Sequence, residues 1–117
     1  MTGTNTSYME ILLRFEKTLN QSLSFLKEIC SDNGQLTTVK LDKVQQPTAD
    51  LSLSIAELSC AKTYLDYSEN KGDLEREMAQ TFAMQMIQNI KSRIAKCPRD
   101  YGLDSRSMEK LDCSFDD

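Results

Sequence analysis

Cysteines are the first residues to test for chemistry, and their spacing offers little. Cys30, Cys60, Cys97 and Cys113 are separated by 30, 37 and 16 residues, and none of these gaps is the close pairing of a zinc knuckle or a redox Cys-x-x-Cys. Three of the four fall inside or at the end of helical patterns, where a reduced Cys behaves as a small hydrophobe. They read as reduced packing thiols, which places the chain in a reducing compartment, cytosol or nucleus. The chain has no His, so the commonest general base near neutral pH and the commonest metal ligand are both missing.

The remaining reactive types are equally scattered. Glu75 and Glu77 are two apart and point in different directions on a helix. The four glycines, at 3, 34, 72 and 102, are isolated, so no phosphate-cradling loop is present. Cys97 falls at the negative end of a helix, the wrong place to stabilise a thiolate. These features predict a non-enzymatic protein with no cofactor and no metal.

One stretch, 91–99, concentrates positive charge in Lys91, Arg93, Lys96 and Arg99 with no acid among them. Cations in the last turns of a helix complement its dipole, and that accounts for most of the cluster. The functional alternative is contact with an anion or nucleic-acid backbone, although no stacking aromatic is interleaved. Overall the 117 residues carry a net charge of −4 and a pI of about 4.8, which argues against a general nucleic-acid binder. The segment Leu111-Asp112-Cys113-Ser114-Phe115-Asp116-Asp117 mixes two apolar residues with three acids. It reads as a solvated tail, or as a docking segment in which Ser114 could accept phosphate.

The elements that would hold these residues emerge from hydrophobic spacing. At 39% apolar and 27% charged, the composition fits one soluble domain with a real core. No apolar run approaches the length of a membrane span, and residues 1–7 lack the positive start and apolar stretch of a secretory signal. Residues 1–7 are expected to be frayed, 8–98 to form the bundle, and 99–117 to hold a short helical piece and an acidic tail.

A first helix is predicted over 8–32. Ser7 and Glu10 form its capping box, Leu12, Phe15, Leu19, Leu23 and Leu26 its buried face, and Gly34 its stop. Residues 35–46 fit a long connection or a single helical turn around 38–44. The second helix begins at Pro47, with Leu51, Ile55, Leu58, Ala61 and Leu65 on one side and Leu53, Ala56, Cys60, Tyr64 and Tyr67 on the other. Asn70-Lys71-Gly72-Asp73 is a turn, in which Gly72 ends one helix and Asp73 caps the next. The third helix presents Met78, Ala79, Phe82, Ala83, Met86, Ile87, Ile90 and Ile94 until Pro98 ends it. Asp104 caps a short piece from 105 to 111.

So short a turn between helices two and three forces an antiparallel return. The expectation is therefore an all-α, three-helix antiparallel bundle with a short fourth helix, helices two and three forming an αα-hairpin. Ala49-Asp50-Leu51, Ala56-Glu57-Leu58, Ala61, Tyr64, Lys71-Gly72-Asp73 and Ala79 resemble the hairpin of the carboxy-terminal bundle in acyl-CoA dehydrogenases. These are residues common to amphipathic hairpins, and 117 residues leave no room for that family's flavin-binding body, so the resemblance carries over no activity.

A helix apolar on two faces sits in the middle of a bundle or meets a partner. Leu13 on the first helix and Met84 on the third also project away from their core stripes, Met84 by about 140°. Leu13, Leu53, Tyr64, Tyr67 and Met84 thus outline a surface for a protein partner or a second copy, unless 35–46 or 105–111 covers it. An adaptor, regulatory subunit or inhibitor is the expected role. The alternatives are anion contact through 91–99 and a hydrophobic-ligand carrier with a cavity between the first and third helices.

Overall fold

The computed structural model describes residues 5–112, which are mostly helical. Helix α1 spans Asn5–Ile29, α2 Thr38–Lys43, α3 Gln45–Ser68, α4 Asp73–Lys96 and α5 Ser105–Asp112. A single 3-10 turn covers Pro98–Tyr101. The only strands among the described residues are the two-residue pair β1 (Ser31–Asp32) and β2 (Gln35–Leu36), antiparallel with Ser31 opposite Leu36. The three predicted helices are α1, α3 and α4, and the all-α bundle with its αα-hairpin is what the chain adopts.

Several boundaries differ from the sequence expectation, each for a physical reason. Helix α1 begins at Asn5, so residues 5–7 are helical and Ser7 lies inside the helix rather than capping it. Asn5 holds that first turn down. Its Nδ2 donates to the Leu65 carbonyl and to Ser68 Oγ, both at 3.0 Å, while Gln80 Nε2 donates to Asn5 Oδ1 at 2.8 Å. At its other end α1 stops at Ile29, and Gly34 ends no helix. Asn33 and Gly34 both take left-handed backbone angles (φ 52° and 81°), the pair of conformations required by the two-residue turn of a β-hairpin. Gly72 occupies the N-cap position of α4, and Asp73, the first helical residue, pairs with Arg76 instead of capping.

Other local expectations hold. The turn at 38–44 is α2, capped by Thr37, whose Oγ1 accepts from the Lys40 amide at 3.3 Å. The fourth helix is α5, and Asp104 Oδ1 accepts from the Ser107 amide at 2.9 Å.

The core lies where the three long helices meet. Leu12, Phe15, Leu19 and Leu26 of α1, Leu51, Leu58, Ala61 and Leu65 of α3, and Ala79, Ala83, Ile87, Ile90 and Ile94 of α4 are buried together. Each set recurs at steps of three, four or seven residues, so burial of one stripe per helix drives the assembly. Tyr101, Leu103 and Leu111 close one end. Tyr101 hydroxyl donates to Asp50 Oδ2 at 3.3 Å. Burial first, and the Asp50 carboxylate second, push its pKa up to about 12, so it stays a neutral donor across the physiological range.

Helix α4 is turned relative to the expected stripe. Met78, expected in the core, is exposed, while Gln80 is buried and Met84 packs partly against the core. The Asn5–Gln80 hydrogen bond explains the turn: α1 lies along the Gln80–Met84 flank and leaves Met78 outside. Asn5→Ala, which removes one buried hydrogen bond each from Gln80, Ser68 and the Leu65 carbonyl, is expected to cost about 1–3 kcal/mol. Urea unfolding checks it, and a loss under 0.5 kcal/mol would show that α1 is anchored elsewhere.

Candidate functional site

The sequence-predicted surface residues do not form one patch. Register places them. In the antiparallel α3–α4 hairpin, Tyr64 meets Phe82 with ring centroids 5.6 Å apart and planes tilted by 52°. One end further along, Asn89 Nδ2 donates to Glu57 Oε2 at 3.3 Å. Tyr64 and Tyr67 are three apart on α3, and Leu74, Met78 and Phe82 step by four on α4, so each set lines one side of its helix. Together they form an apolar face on the outside of the hairpin, beside its turn. Tyr67 is 61% exposed, Leu74 66% and Met78 52%. Lys71 Nζ stands 4.9 Å from the Tyr67 ring centroid, so a cation borders the face.

Leu53, 48% exposed, extends the same side of α3 by roughly 20 Å beyond Tyr67 at 1.5 Å per residue. Between them lies a polar interruption. Arg93 pairs with Glu57 and also donates to Ser54 Oγ at 3.2 Å. This pair is mostly shielded, and the Arg93 hydrogen bond holds the Glu57 carboxyl below its ordinary pKa of 4.5 against the opposing effect of burial. Cys60 lies exposed on the same side of α3 as Leu53 and Tyr64, so it is no packing thiol; of the described cysteines only Cys30 is fully buried.

Two predicted residues belong elsewhere. Leu13 is exposed on α1 and lines a groove on its α3 side with Met9, Leu65, Asp66 and Glu69. Met84 faces the space between α1 and α4 with Tyr8, Gln80, Thr81 and Gln88. That space, where a hydrophobic-ligand cavity was the expectation, is an open groove in which Glu77, Gln80, Thr81, Gln85 and Gln88 stand beside Tyr8 and Met84. Neither short helix covers the hairpin face: α2 packs on α3 near its start and α5 packs on α1. Among the described residues, Leu53 and Tyr67 therefore stay exposed.

The basic stretch does not act as a unit either. Lys91 and Arg93 are two apart and point to different sides of α4. Lys91 is partly buried, Arg93 is committed to Glu57, and only Lys96 and Arg99 are exposed. Among the described residues no group of three or more Cys, Asp or Glu could hold a metal ion, and no helix is long and apolar enough to cross a membrane. Cys113 and most of the acidic segment lie outside the described residues.

Sequence reasoning missed Leu74 and misplaced Met78. Their four-residue step to Phe82 was available as a signal, but it reads equally well as core until the hairpin register is known. No protein-family model, no curated protein and no solved structure matches this chain.

Proposed function

We propose that this chain is a non-enzymatic protein–protein interaction module, an adaptor, regulatory subunit or inhibitor within a larger assembly, that engages its partner or a second copy through the outer face of the α3–α4 hairpin. One observation carries the reading: Tyr67, Leu74 and Met78 stand more than half exposed around the Tyr64–Phe82 ring pair. Scattered exposed hydrophobes are normal, whereas clustered ones on one face mark interaction surfaces. Aromatic and Met side chains are also the types enriched at protein interfaces. A cytoplasmic or nuclear setting is part of the same reading, supported by the free thiols of Cys30, Cys60 and Cys97.

Tyr67→Asp/Met78→Asp tests it. Both positions are on the surface, so helicity should persist and stability should change by no more than about 0.5 kcal/mol per site. Association should be lost, read as a fall to monomer in sedimentation or as absence of a captured partner, while Leu13→Asp retains it. Wild type that stays monomeric and captures the same proteins as the double variant would remove the hairpin face from consideration. Anion contact through 91–99 is the weaker reading, because Arg93 is already paired within the hairpin.

A further inference from the structure

A second surface carries a different chemistry. On the α3 side of α1 runs a groove of about 340 Å³ with an apolar floor: Leu65 is buried, Met9 half-buried and Leu13 47% exposed. Glu10 stands on its α1 rim, and Asp66 and Glu69 stand on its α3 rim. All three carboxylates are exposed, and none of them forms an ion pair among the described residues. Cations close to them in sequence are committed elsewhere: Lys62 to Glu16 at 2.6 Å, Arg76 to Asp73, and Lys71 to the Tyr67 ring. Arg14 lines the opposite, α5 side of α1. The Asn5 hydrogen bonds to Leu65 and Ser68 hold the two walls together.

We propose that this groove docks an amphipathic, Lys- or Arg-bearing segment of a protein partner, its apolar side chains on Met9 and Leu13 and its cations on the two rims. Charge complementarity selects that occupant. Asp73, Glu75 and Glu77 join the three rim acids at this end of the molecule, against only Lys71 and Arg76. Six carboxylates against two cations give it a charge of −4, equal to the net charge of the whole chain. Charges of one sign on facing rims focus their field into the space between them. An amphipathic helix laid in such a groove satisfies the floor and the rims at once. A second copy meeting the groove through its own would set −3 against −3. A nucleic acid or an anionic lipid surface would meet the same repulsion.

The probe is a fluorescent helical peptide of about fifteen residues, with Leu four apart on one face and Lys on both flanks; a control peptide carries Glu in place of Lys. Fluorescence anisotropy with the full chain should show binding of the Lys peptide alone, weakening as salt screens the rims. Asp66→Lys/Glu69→Lys should weaken it at least tenfold. Leu13→Ser, which leaves every charge in place, should weaken it severalfold. Glu28→Lys/Glu109→Lys makes the same change in net charge outside the groove, Glu28 lying roughly 27 Å along α1 from Glu10, and should stay within about threefold of wild type. Circular dichroism confirms that the helices persist in each variant. Equal weakening by the two charge-reversed pairs would show that the peptide follows net charge alone, and would overturn the site. Absence of binding to wild type, or preference for the Glu peptide, would overturn it as well. The hairpin face is a separate surface, so Tyr67→Asp/Met78→Asp should bind the Lys peptide as wild type does; loss there would move the peptide to the hairpin and remove it from this groove.

Discussion

Arg93→Met is expected to destabilise the fold by about 2–4 kcal/mol, because it strands a carboxylate. Glu57 and Arg93 side chains are only 15% and 18% exposed, so neither can recover full hydration if its partner is removed. Ser54, buried at 1% exposure, would lose the donor to its Oγ as well. The pair itself is weak support for stability, since each ion also gave up water to enter the hairpin. Arg93→Met/Glu57→Leu should therefore recover most of the loss.

The pH dependence has a definite sign. In the wild type the Glu57 pKa is lowered on folding, chiefly by the Arg93 hydrogen bond. Its contribution is full above the unfolded value and disappears as pH falls through the folded one. In Arg93→Met that hydrogen bond is gone and burial raises the pKa instead, so the variant's deficit should shrink as pH falls below about 5. Chemical denaturation at pH 7 and pH 4 measures both limbs. A deficit independent of pH would mean that lost packing, not the stranded charge, sets the cost.

Gly102→Ala is expected to cost about 2–4 kcal/mol, a fall in Tm on the order of 10 °C for a chain this size. Two causes combine. Gly102 has φ +69°, where a Cβ costs roughly 1–2 kcal/mol. A Cβ there would also lie 2.5 Å from Phe25 Cγ and 2.6 Å from Cδ1, closer than carbon atoms pack. Moving Phe25 disturbs the seat of the 3-10 turn on α1, where overpacking costs about 1–3 kcal/mol. Thermal unfolding of Gly102→Ala beside Phe25→Ala and the double variant separates the causes. The overlap with Phe25 predicts that the two substitutions are less than additive, and strict additivity would leave the backbone angle as the only cause.

The bundle was legible because its stripes are long. Five apolar positions at helical steps in α1, from Leu12 to Leu26, and the short turn at Asn70–Asp73, leave few other ways to bury the side chains. What was not legible depended on partners distant in sequence. Nothing near Asn5 says that it will lie against Leu65, Ser68 and Gln80, yet that contact adds a turn to α1 and sets the rotation of α4. The same rotation exposes Met78 and leaves Met84 half-buried against α1. Arg93 looked like one cation in a run of four because Glu57 is 36 residues away. The Asn33-Gly34 pair was readable as a hairpin turn, but its strands are two residues each and show no alternation to support it.

For the candidate site, the α3 half was visible as a second apolar side of one helix. Its α4 half needed the register, because only the Tyr64–Phe82 contact shows which turn of α4 stands beside Tyr67. The polar interruption by Glu57 and Arg93 has a functional corollary. A partner spanning the whole side from Leu53 to Tyr67 must accommodate a satisfied ion pair at the middle, while one confined to the turn end meets apolar and aromatic groups bordered by the Lys71 cation.

Cys60 gives that side of α3 a handle of its own. Its thiol is solvent-accessible next to the proposed contact zone, whereas Cys30 is enclosed and Cys97 half-enclosed. In a Cys97→Ser/Cys113→Ser background, the rate at which a maleimide dye consumes this one accessible sulfur reports on whether the hairpin is covered, without naming in advance what covers it.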